Sequence, residues 1–257
     1  MSIQRVGVVG AGQMGSGIAE VSAKAGADVV VYEPTEELLA GGRKRLTGSL
    51  ERAASRGKLS ESDRDAALTR LTFTTDLADL ADRQLVIEAV VEDEAVKGNI
   101  FARLDELITD PDAVLASNTS SIPIMKIAAA TKNPSRVLGL HFFNPVPVLP
   151  LVELVSTLVT SEGALQRTEE FATGVLGKKV VLCSDRSGFV VNALLVPYLL
   201  SAIRMAEAGL ATVEDIDPAI VAGLSHPMGP LRLSDLIGLD TMKLIADSMF
   251  DELKDLH

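Results

Sequence analysis

The stretch that decides the fold is "VGVVGAGQMGSGIAE", residues Val6 to Glu20, which places five glycines within eleven positions. Three of them, Gly10, Gly12 and Gly15, have the G-x-G-x-x-G spacing. Glycines at a corner between a strand and a helix let the backbone approach a phosphate closely, because no Cβ atom holds the ligand away. The spacing alone is a weak signal, since tight turns also use glycine.

The residues around this corner favour a dinucleotide-binding fold. An apolar, strand-like run, Ile3 to Val9, leads into it. Apolar or small residues then recur at helical spacing: Met14, Ile18, Val21 and Ala25. A second apolar strand, Asp28 to Tyr32, ends at Glu33, about 20 positions past the glycines, where such folds hold the ribose hydroxyls. The stretch therefore predicts a dinucleotide site; the alternative is a tight turn followed by a solvated strand end.

The acid at the end of the second strand also bears on the choice of coenzyme. A carboxylate at Glu33 would repel the 2′-phosphate of NADP. We therefore expect NAD, with NADP disfavoured.

Further along the chain, apolar runs alternate with helix-like segments. The runs span Ile3 to Val9, Asp28 to Tyr32, Leu71 to Thr74, Gln84 to Glu88, Ala113 to Ser117, Arg136 to His141, Pro150 to Val155 and Lys179 to Cys183. This alternation predicts an α/β fold with a Rossmann-like, doubly wound, mostly parallel sheet. No strand-like run remains after Asp185, so we expect an NAD-binding domain over residues 1–184 and a smaller, all-helical C-terminal domain over residues 185–257.

Composition excludes several classes of partner. The net charge of −11 argues against nucleic acid or an anionic membrane, because both require a basic surface. The only cysteine, Cys183, cannot form an internal disulfide, and we expect it to be buried and inert in its apolar run. No secretory signal pattern opens the chain. These features predict a cytoplasmic protein.

A long apolar stretch occurs in the expected helical domain. Residues Phe189 to Met205 are shorter than the roughly 20 residues of a membrane span and are interrupted by Asn192, Pro197 and Arg204. We expect a helix that is buried on most sides. Such a helix in a small domain favours association with a second subunit.

Ligands of open α/β sheets bind beyond the carboxyl ends of the strands, so the residues that follow each run are candidates. Three ends carry many polar groups. "VIEAVVED" contains Glu92 and is followed by Lys97, "VLASNTSS" spans residues 114–121, and "VLGLHFFNP" ends the sixth run. For Ser117 to Ser121 the alternative is a helix cap with turn residues.

His141 is the candidate general base. It lies at a strand end, it is one of three histidines, and Asn144 follows it closely. A basic histidine needs an acceptor for its second ring nitrogen, and Glu153 lies in the next apolar run, "PLVELVS". Burying that carboxylate is costly unless it is paired. The alternative is a buried histidine with a structural role.

Basic residues concentrate between Arg43 and Lys58, where six cations face the single acid Glu51. Four residues of this segment form one helical stripe: Arg45, Ser49, Arg52 and Arg56. The stripe is compatible with an anion-binding ridge for a phosphate-bearing substrate and equally with a solvated helix face.

With these residues in view, the chain resembles the 3-hydroxyacyl-CoA dehydrogenase family, and within it the short bacterial enzymes for 3-hydroxybutyryl-CoA. The motifs that carry the resemblance are "GVVGAGQMGSGIA", "VIEAVVEDEAVK", "ASNTSS", "LGLHFFNPVPVLPLVELV", "DRSGFVVNALLVPYL" and "HPMGPLRLSDLIGLD". The likeness covers nearly the whole chain. The sequence departs from the family pattern where it stops at His257, without a closing Gly-Phe-Tyr segment.

The resemblance implies roles for particular residues. It makes His141 and Glu153 the catalytic pair, and Ser120 and Asn192 the residues that contact the substrate. The implied NAD site contains Gly10, Gly12, Gln13, Met14, Gly15, Glu33, Glu92, Lys97, Asn118 and Asn144. Coenzyme A contacts map to Ser49, Arg52 and Arg56. No metal is expected.

The reaction expected from the resemblance is the interconversion of 3-hydroxyacyl-CoA and 3-ketoacyl-CoA by hydride transfer, in a homodimer joined through the helical domain. His141 would take the 3-hydroxyl proton, and Asn192 would place the active site in a cleft between the domains. Two other functions remain open: an NAD-binding protein with a structural or sensing role, and a hydroxy-acid dehydrogenase that does not use coenzyme A.

Overall fold

The structure is a computed structural model that describes residues 3–254. Its strands are β1 (Arg5–Val9), β2 (Asp28–Tyr32), β3 (Leu71–Thr74), β4 (Leu85–Glu88), β5 (Val114–Ser117), β6 (Val137–Phe142), β7 (Leu151–Ser156) and β8 (Lys179–Ser184). Its α-helices are α1 (Gln13–Lys24), α2 (Glu36–Ser55), α3 (Glu61–Thr69), α4 (Glu94–Leu107), α5 (Ile124–Ala128), α6 (Glu162–Glu170), α7 (Val191–Glu207), α8 (Val213–Leu224), α9 (Pro230–Ile237) and α10 (Leu239–Leu253). The chain end at His257 lies outside the described residues.

The strands form one sheet in the order β3-β2-β1-β4-β5-β6-β7-β8. The first six positions follow the strand order of dinucleotide-binding folds, in which the order reverses between β1 and β4 and ligands bind in the crevice at that point. Strands β1, β4, β5 and β6 are buried along nearly their whole length, as expected when helices cover both faces. The predicted doubly wound, mostly parallel sheet is confirmed, and each predicted run is a strand within two residues at either end.

One pair of neighbours, β6 and β7, runs antiparallel, while β7 and β8 are again parallel. The connection between β6 and β7 spans only residues 143–150. A parallel return requires a crossover of a dozen or more residues, usually with a helix. The short connection therefore reverses the chain direction, and this reversal determines which residues of the two strands face each other.

Several helices that follow the strands begin at residues that cap them. The side chains of Thr35, Ser60, Asp93 and Ser161 accept hydrogen bonds from backbone N–H groups in the first turns of α2, α3, α4 and α6. Such caps satisfy donors that would otherwise lack a partner. The helix α4 therefore begins at a defined residue close to the carboxyl end of β4.

The chain divides into two compact units after Asp185, next to the predicted boundary at Ser184. The second unit contains α7 to α10, so its predicted all-helical character is confirmed. No helix among residues 3–254 is both long and apolar enough to cross a membrane.

Within a single chain the apolar stretch forms a helix that is fully buried along one face, and burial on its other sides stays a prediction that depends on a second subunit. In α7 the buried residues lie on one stripe: Asn192, Val196, Leu199 and Ala202. Leu194, on the opposite side, is 72% exposed. The helix buries one face because its own small unit packs against that face alone.

The expectation that Cys183 is buried is wrong, whereas the expectation that it is inert agrees with its pKa. Cys183 lies on β8, at the edge of the sheet, and is half-buried. Burial, together with the negative charges of Glu153 and Asp185, nevertheless raises the pKa of the thiol to about 11. The thiol is therefore protonated at neutral pH and chemically unreactive.

Candidate active site

The glycines of the corner have different structural roles. Gly10 has a φ of +96°, and a Cβ there would lie 2.6 Å from the carbonyl oxygen of Ala89. A Cβ on Gly15 would lie 1.8 Å from the carbonyl oxygen of Gly10. A Cβ on Gly12, in contrast, would meet no atom within 4 Å. Gly10 and Gly15 thus fold the corner tightly, while Gly12 leaves open space in which a phosphate can approach the backbone.

Both polar backbone atoms of Ala11, inside the corner, are held by residues from other elements. The Glu33 carboxylate accepts a hydrogen bond from the Ala11 N–H. The Ala11 carbonyl accepts hydrogen bonds from Arg45 Nη1 at 2.7 Å and from Ser16 Oγ at 2.8 Å. A carboxylate offers about four acceptor positions, so Glu33 retains capacity for ribose hydroxyls. The corner is fixed in a conformation that fits a dinucleotide.

The basic stripe on α2 is divided by these contacts. Arg45 belongs to the support of the glycine corner, which its position in a helical stripe does not indicate. Ser49 is half-buried, and Arg52 and Arg56 are exposed. Arg56 is the residue that ends the helix, one position past its last turn. For Ser49, Arg52 and Arg56 both interpretations stay predictions, an anion-binding ridge and a solvated helix face.

A buried charge cluster lies where β4 ends. Lys97 on α4 is 1% exposed, and its Nζ lies 2.6 Å from a carboxylate oxygen of Glu88 and 3.2 Å from one of Glu92. Glu88 is fully buried and also accepts hydrogen bonds from the Val90 N–H at 2.7 Å and from Ser117 Oγ at 2.7 Å. The side chains of Glu88 and Glu92 therefore share the amino group of Lys97.

Glu92 connects this cluster to the loop that follows β5. Its carboxylate accepts hydrogen bonds from the hydroxyls of Thr119 and Ser121 and from the Ser120 N–H. Burial acts to raise the pKa of Glu92, but Lys97 and these hydroxyls outweigh it, so the pKa lies below its ordinary value. Glu92 is therefore a carboxylate at neutral pH, and it restrains the segment that contains Ser120.

The loop residues Ser117 to Ser121 also act as turn residues. Thr119 Oγ1 accepts a hydrogen bond from the Ile122 N–H at 2.9 Å. Asn118 Oδ1 accepts one from the Phe142 N–H at 2.9 Å, which joins this loop to the end of β6. The local-turn interpretation and the functional one are thus compatible.

His141 and Glu153 meet across β6 and β7. His141 Nδ1 lies 2.7 Å from a carboxylate oxygen of Glu153. The imidazole is 6% exposed and the carboxylate is fully buried. A buried carboxylate on Nδ1 orients the ring and fixes its tautomer. This arrangement can accept a proton from a bound alcohol and return it to a carbonyl.

Two further contacts hold the segment that follows His141. Asn144 Oδ1 accepts a hydrogen bond from Gln13 Nε2 at 3.1 Å, which brings together two predicted cofactor residues. The buried Lys178 donates hydrogen bonds to the carbonyls of Val146 and Leu149, each at 2.6 Å. Burial lowers the pKa of Lys178 from its ordinary value. The connection between β6 and β7 is thereby tied to α1 and to the start of β8.

The sequence patterns did not indicate three features of the site: Glu88, Lys178, and the support that Arg45 gives to the glycine corner. An acid that ends an otherwise apolar strand, as Glu88 does in "LVIE", is a signal that could have been used, since such a carboxylate must be paired. No comparable pattern marks Lys178. Of the remaining predicted residues, Met14 packs against the main core, and Asn192 is buried on α7 of the second unit.

Two known protein domains match this chain. Residues 5–186 match the NAD-binding domain of 3-hydroxyacyl-CoA dehydrogenase, and residues 188–257 match its C-terminal domain. The chain belongs to the 3-hydroxyacyl-CoA dehydrogenase family.

Relatives of this dehydrogenase are found in bacteria and in mitochondria. A 3-hydroxybutyryl-CoA dehydrogenase of Mycobacterium tuberculosis is 78% identical over 256 residues, covering 100% of this chain and 90% of the relative. The mitochondrial hydroxyacyl-coenzyme A dehydrogenase of Rattus norvegicus is 44% identical over 95% of this chain and 79% of its own length.

Solved structures agree with the fold of this dehydrogenase. The crystal structure of M. tuberculosis FadB2 superposes with a TM-score of 0.98 at 78% identity, covering 100% of this chain and 90% of that one. The (S)-3-hydroxybutyryl-CoA dehydrogenase PaaH1 of Ralstonia eutropha gives a TM-score of 0.95 at 40% identity, covering 99% and 89%.

Proposed function

We propose that this dehydrogenase interconverts 3-hydroxybutyryl-CoA and acetoacetyl-CoA with NAD as its coenzyme. The observation that carries the proposal is the buried pair of His141 and Glu153 at 2.7 Å, in the sheet that also bears the glycine corner. The substrate is supported by the relatives named 3-hydroxybutyryl-CoA dehydrogenase, of which one is 78% identical.

In the proposed mechanism His141 is the general base for oxidation. Glu153 engages Nδ1, so the proton of the substrate 3-hydroxyl passes to Nε2. The buried Glu153 carboxylate then stabilises the imidazolium. When bound, NAD supplies the hydride acceptor. In the reverse direction His141 returns its proton to the keto oxygen.

The proposed substrate contacts include Ser120, in the loop after β5, and Asn192, on α7. Glu92 restrains the backbone of Ser120 through its N–H at 3.3 Å, which supports a role for this serine as a donor to the reacting oxygen. We assign the same type of role to Asn192. Ser49, Arg52 and Arg56 are the proposed contacts for the phosphates of coenzyme A.

The preference for NAD rests on Glu33. Its carboxylate is already oriented toward the corner by the Ala11 N–H, and a 2′-phosphate brought near it would be repelled. We therefore expect NADH to be used well and NADPH poorly.

We also propose that the protein is a cytoplasmic homodimer joined through its helical unit. The chain has a single cysteine, which suits a reducing compartment. Large apolar side chains of the helical unit are strongly exposed: Leu194 at 72%, Leu210 at 75%, Leu236 at 70% and Leu244 at 67%. A second copy of the chain is the proposed cover for part of this surface.

The deciding experiment measures the oxidation of NADH with acetoacetyl-CoA and with free acetoacetate, and repeats the first assay with NADPH. Turnover with acetoacetyl-CoA and NADH alone supports the proposal. Equal turnover with free acetoacetate would indicate a hydroxy-acid dehydrogenase that does not need coenzyme A. NADH binding with no turnover of either substrate would indicate a structural or sensing role.

A further inference from the structure

We propose that Glu88 is a positioning residue. It fixes the position of Lys97, in the proposed cofactor site, relative to the loop after β5, which contains Ser120. The inference deepens the proposed function and rests on it for the identity of the substrate. The Glu88 carboxylate accepts hydrogen bonds from Lys97, Ser117 and the Val90 N–H, and its effect passes through these contacts.

The place of Glu88 in the sheet explains its reach. On one side it pairs in register with Val9, the residue before Gly10, where the strand order reverses. On the other side it pairs with Ser117, the last residue of β5, directly before the loop that contains Ser120. Glu88 therefore lies between the crevice where a dinucleotide binds and the loop proposed to contact the substrate.

The two oxygens of the Glu88 carboxylate serve different parts of the site. Oε1 accepts hydrogen bonds from Lys97 Nζ at 2.6 Å and from the Val90 N–H at 2.7 Å. Oε2 accepts one from Ser117 Oγ at 2.7 Å. The Ser117 hydroxyl in turn accepts a hydrogen bond from the Thr119 N–H at 3.2 Å. One side chain thus sets the position of the α4 ammonium and the start of the β5 loop.

Charge explains why an acid is needed at this position. Lys97 is 1% exposed and must be neutralised where it lies. Glu88 provides that neutralisation from within the sheet, so Glu92 needs to supply only the second, longer contact at 3.2 Å. Without the charge of Glu88, Lys97 would draw Glu92 inward, away from its hydroxyl partners on Thr119 and Ser121.

The test compares Glu88→Gln with the control Glu106→Gln on α4, the helix that carries Lys97; Glu106 forms an exposed ion pair with Lys132. NADH affinity is measured by fluorescence titration and acetoacetyl-CoA affinity by calorimetry, on proteins whose folding is checked by circular dichroism. We expect Glu88→Gln to weaken both affinities about tenfold or more, and Glu106→Gln to change neither. A folded Glu88→Gln variant with both affinities unchanged would overturn the proposal.

A second variant separates the effect of Glu88 on the loop after β5 from its effect on Lys97. It also serves as the test if Glu88→Gln does not fold. Ser117→Ala removes only the link to the loop, so we expect weaker binding of acetoacetyl-CoA and unchanged binding of NADH. Ser117→Ala with unchanged acetoacetyl-CoA affinity would contradict the proposed effect of Glu88 on the loop after β5. Neither titration depends on turnover. A wild-type protein that fails to oxidise NADH would therefore reject the proposed function, while the NADH titration would still decide the role of Glu88.

Discussion

His141 and Glu153 are direct cross-strand partners in the antiparallel pair of β6 and β7, and Nδ1 of the imidazole lies 2.7 Å from the carboxylate. Residues that lie opposite each other in such a pair project to the same face of the sheet, about 5 Å apart at their Cβ atoms. The pair is therefore built into the sheet itself and needs no loop to bring its members together. Rigid strands hold catalytic groups more accurately than loops do.

Replacing His141 by glutamine removes the proposed base while retaining a polar side chain. We expect kcat for acetoacetyl-CoA reduction to fall by about 10²- to 10⁴-fold, the usual contribution of general acid–base catalysis. NADH affinity should stay close to wild type, because the imidazole is not part of the glycine corner. The control is His226→Gln, at an exposed position of the second unit. A His141→Gln variant with near wild-type turnover would refute the assignment.

Replacing Glu153 by glutamine keeps the shape of the pair and removes its charge. An amide cannot stabilise the imidazolium as a carboxylate does, and it can also select the wrong tautomer of the ring. We expect kcat to fall by about 10²- to 10⁴-fold, with little change in KM. Steady-state kinetics with acetoacetyl-CoA and NADH measure both. A rise in KM at constant kcat would instead place Glu153 in substrate binding.

Two adjacent glycines of α2 should respond in opposite ways to alanine. A Cβ on Gly42 would lie 2.2 Å from the Cβ of Ala11, whereas one on Gly41 would meet no atom within 4 Å. We expect Gly41→Ala to stabilise the protein by roughly 0.5–1 kcal/mol, because alanine favours the helix. Gly42→Ala should destabilise it by roughly 1–3 kcal/mol through overpacking. It should also weaken NADH binding, since Ala11 lies inside the glycine corner.

Urea unfolding and NADH titration of both α2 variants check these expectations. If the two alanine variants show the same stability, α2 does not pack against the corner as described.

Replacing Lys178 by methionine should leave the carbonyls of Val146 and Leu149 without their donor. The loss of the donor costs about 1–3 kcal/mol at the carbonyl of the buried Val146 and less at that of Leu149, which is 37% exposed. We therefore expect a lower free energy of unfolding, together with weaker NADH binding, because the same segment holds Asn144 against Gln13. The matched control is the exposed neighbour Lys179, replaced by methionine in the same way. Equal free energies of unfolding for the two variants would show that the hydrogen bonds of Lys178 contribute nothing to stability.

Cys183 should resist alkylation at neutral pH in the folded protein. Its pKa is raised from 9.0 to about 11, so the thiolate fraction at pH 7.5 is about a hundredfold lower than for an unperturbed thiol. Because a raised pKa of an acid favours its protonated form, labelling should become faster with pH until about pH 11. Mass spectrometry after iodoacetamide treatment measures the rate, with the urea-unfolded protein as the reference. Equally fast labelling of both at pH 7.5 would contradict the raised pKa.

Much of this protein follows from local sequence patterns. The alternation of apolar runs with helical spacing predicts the eight strands and the second helical unit, because burial on a strand and on a helix leaves different periodicities. The spacing of Gly10, Gly12 and Gly15 predicts the corner, since positive φ and close contacts at such a corner demand glycine. The cost of burying Glu153 without a partner predicts its pairing with His141.

Tertiary structure alone decided the remaining features. Three sets of contacts join residues that lie on different elements. Glu88 and Glu92 share Lys97, Arg45 donates a hydrogen bond to the Ala11 carbonyl, and Lys178 donates one to the Val146 carbonyl. The exposure of Cys183 depends on β8 being an edge strand, although its apolar run reads like those at the centre. Periodicity records which face of an element is buried, whereas a long-range hydrogen bond involves single residues far apart in the chain and leaves no repeating pattern.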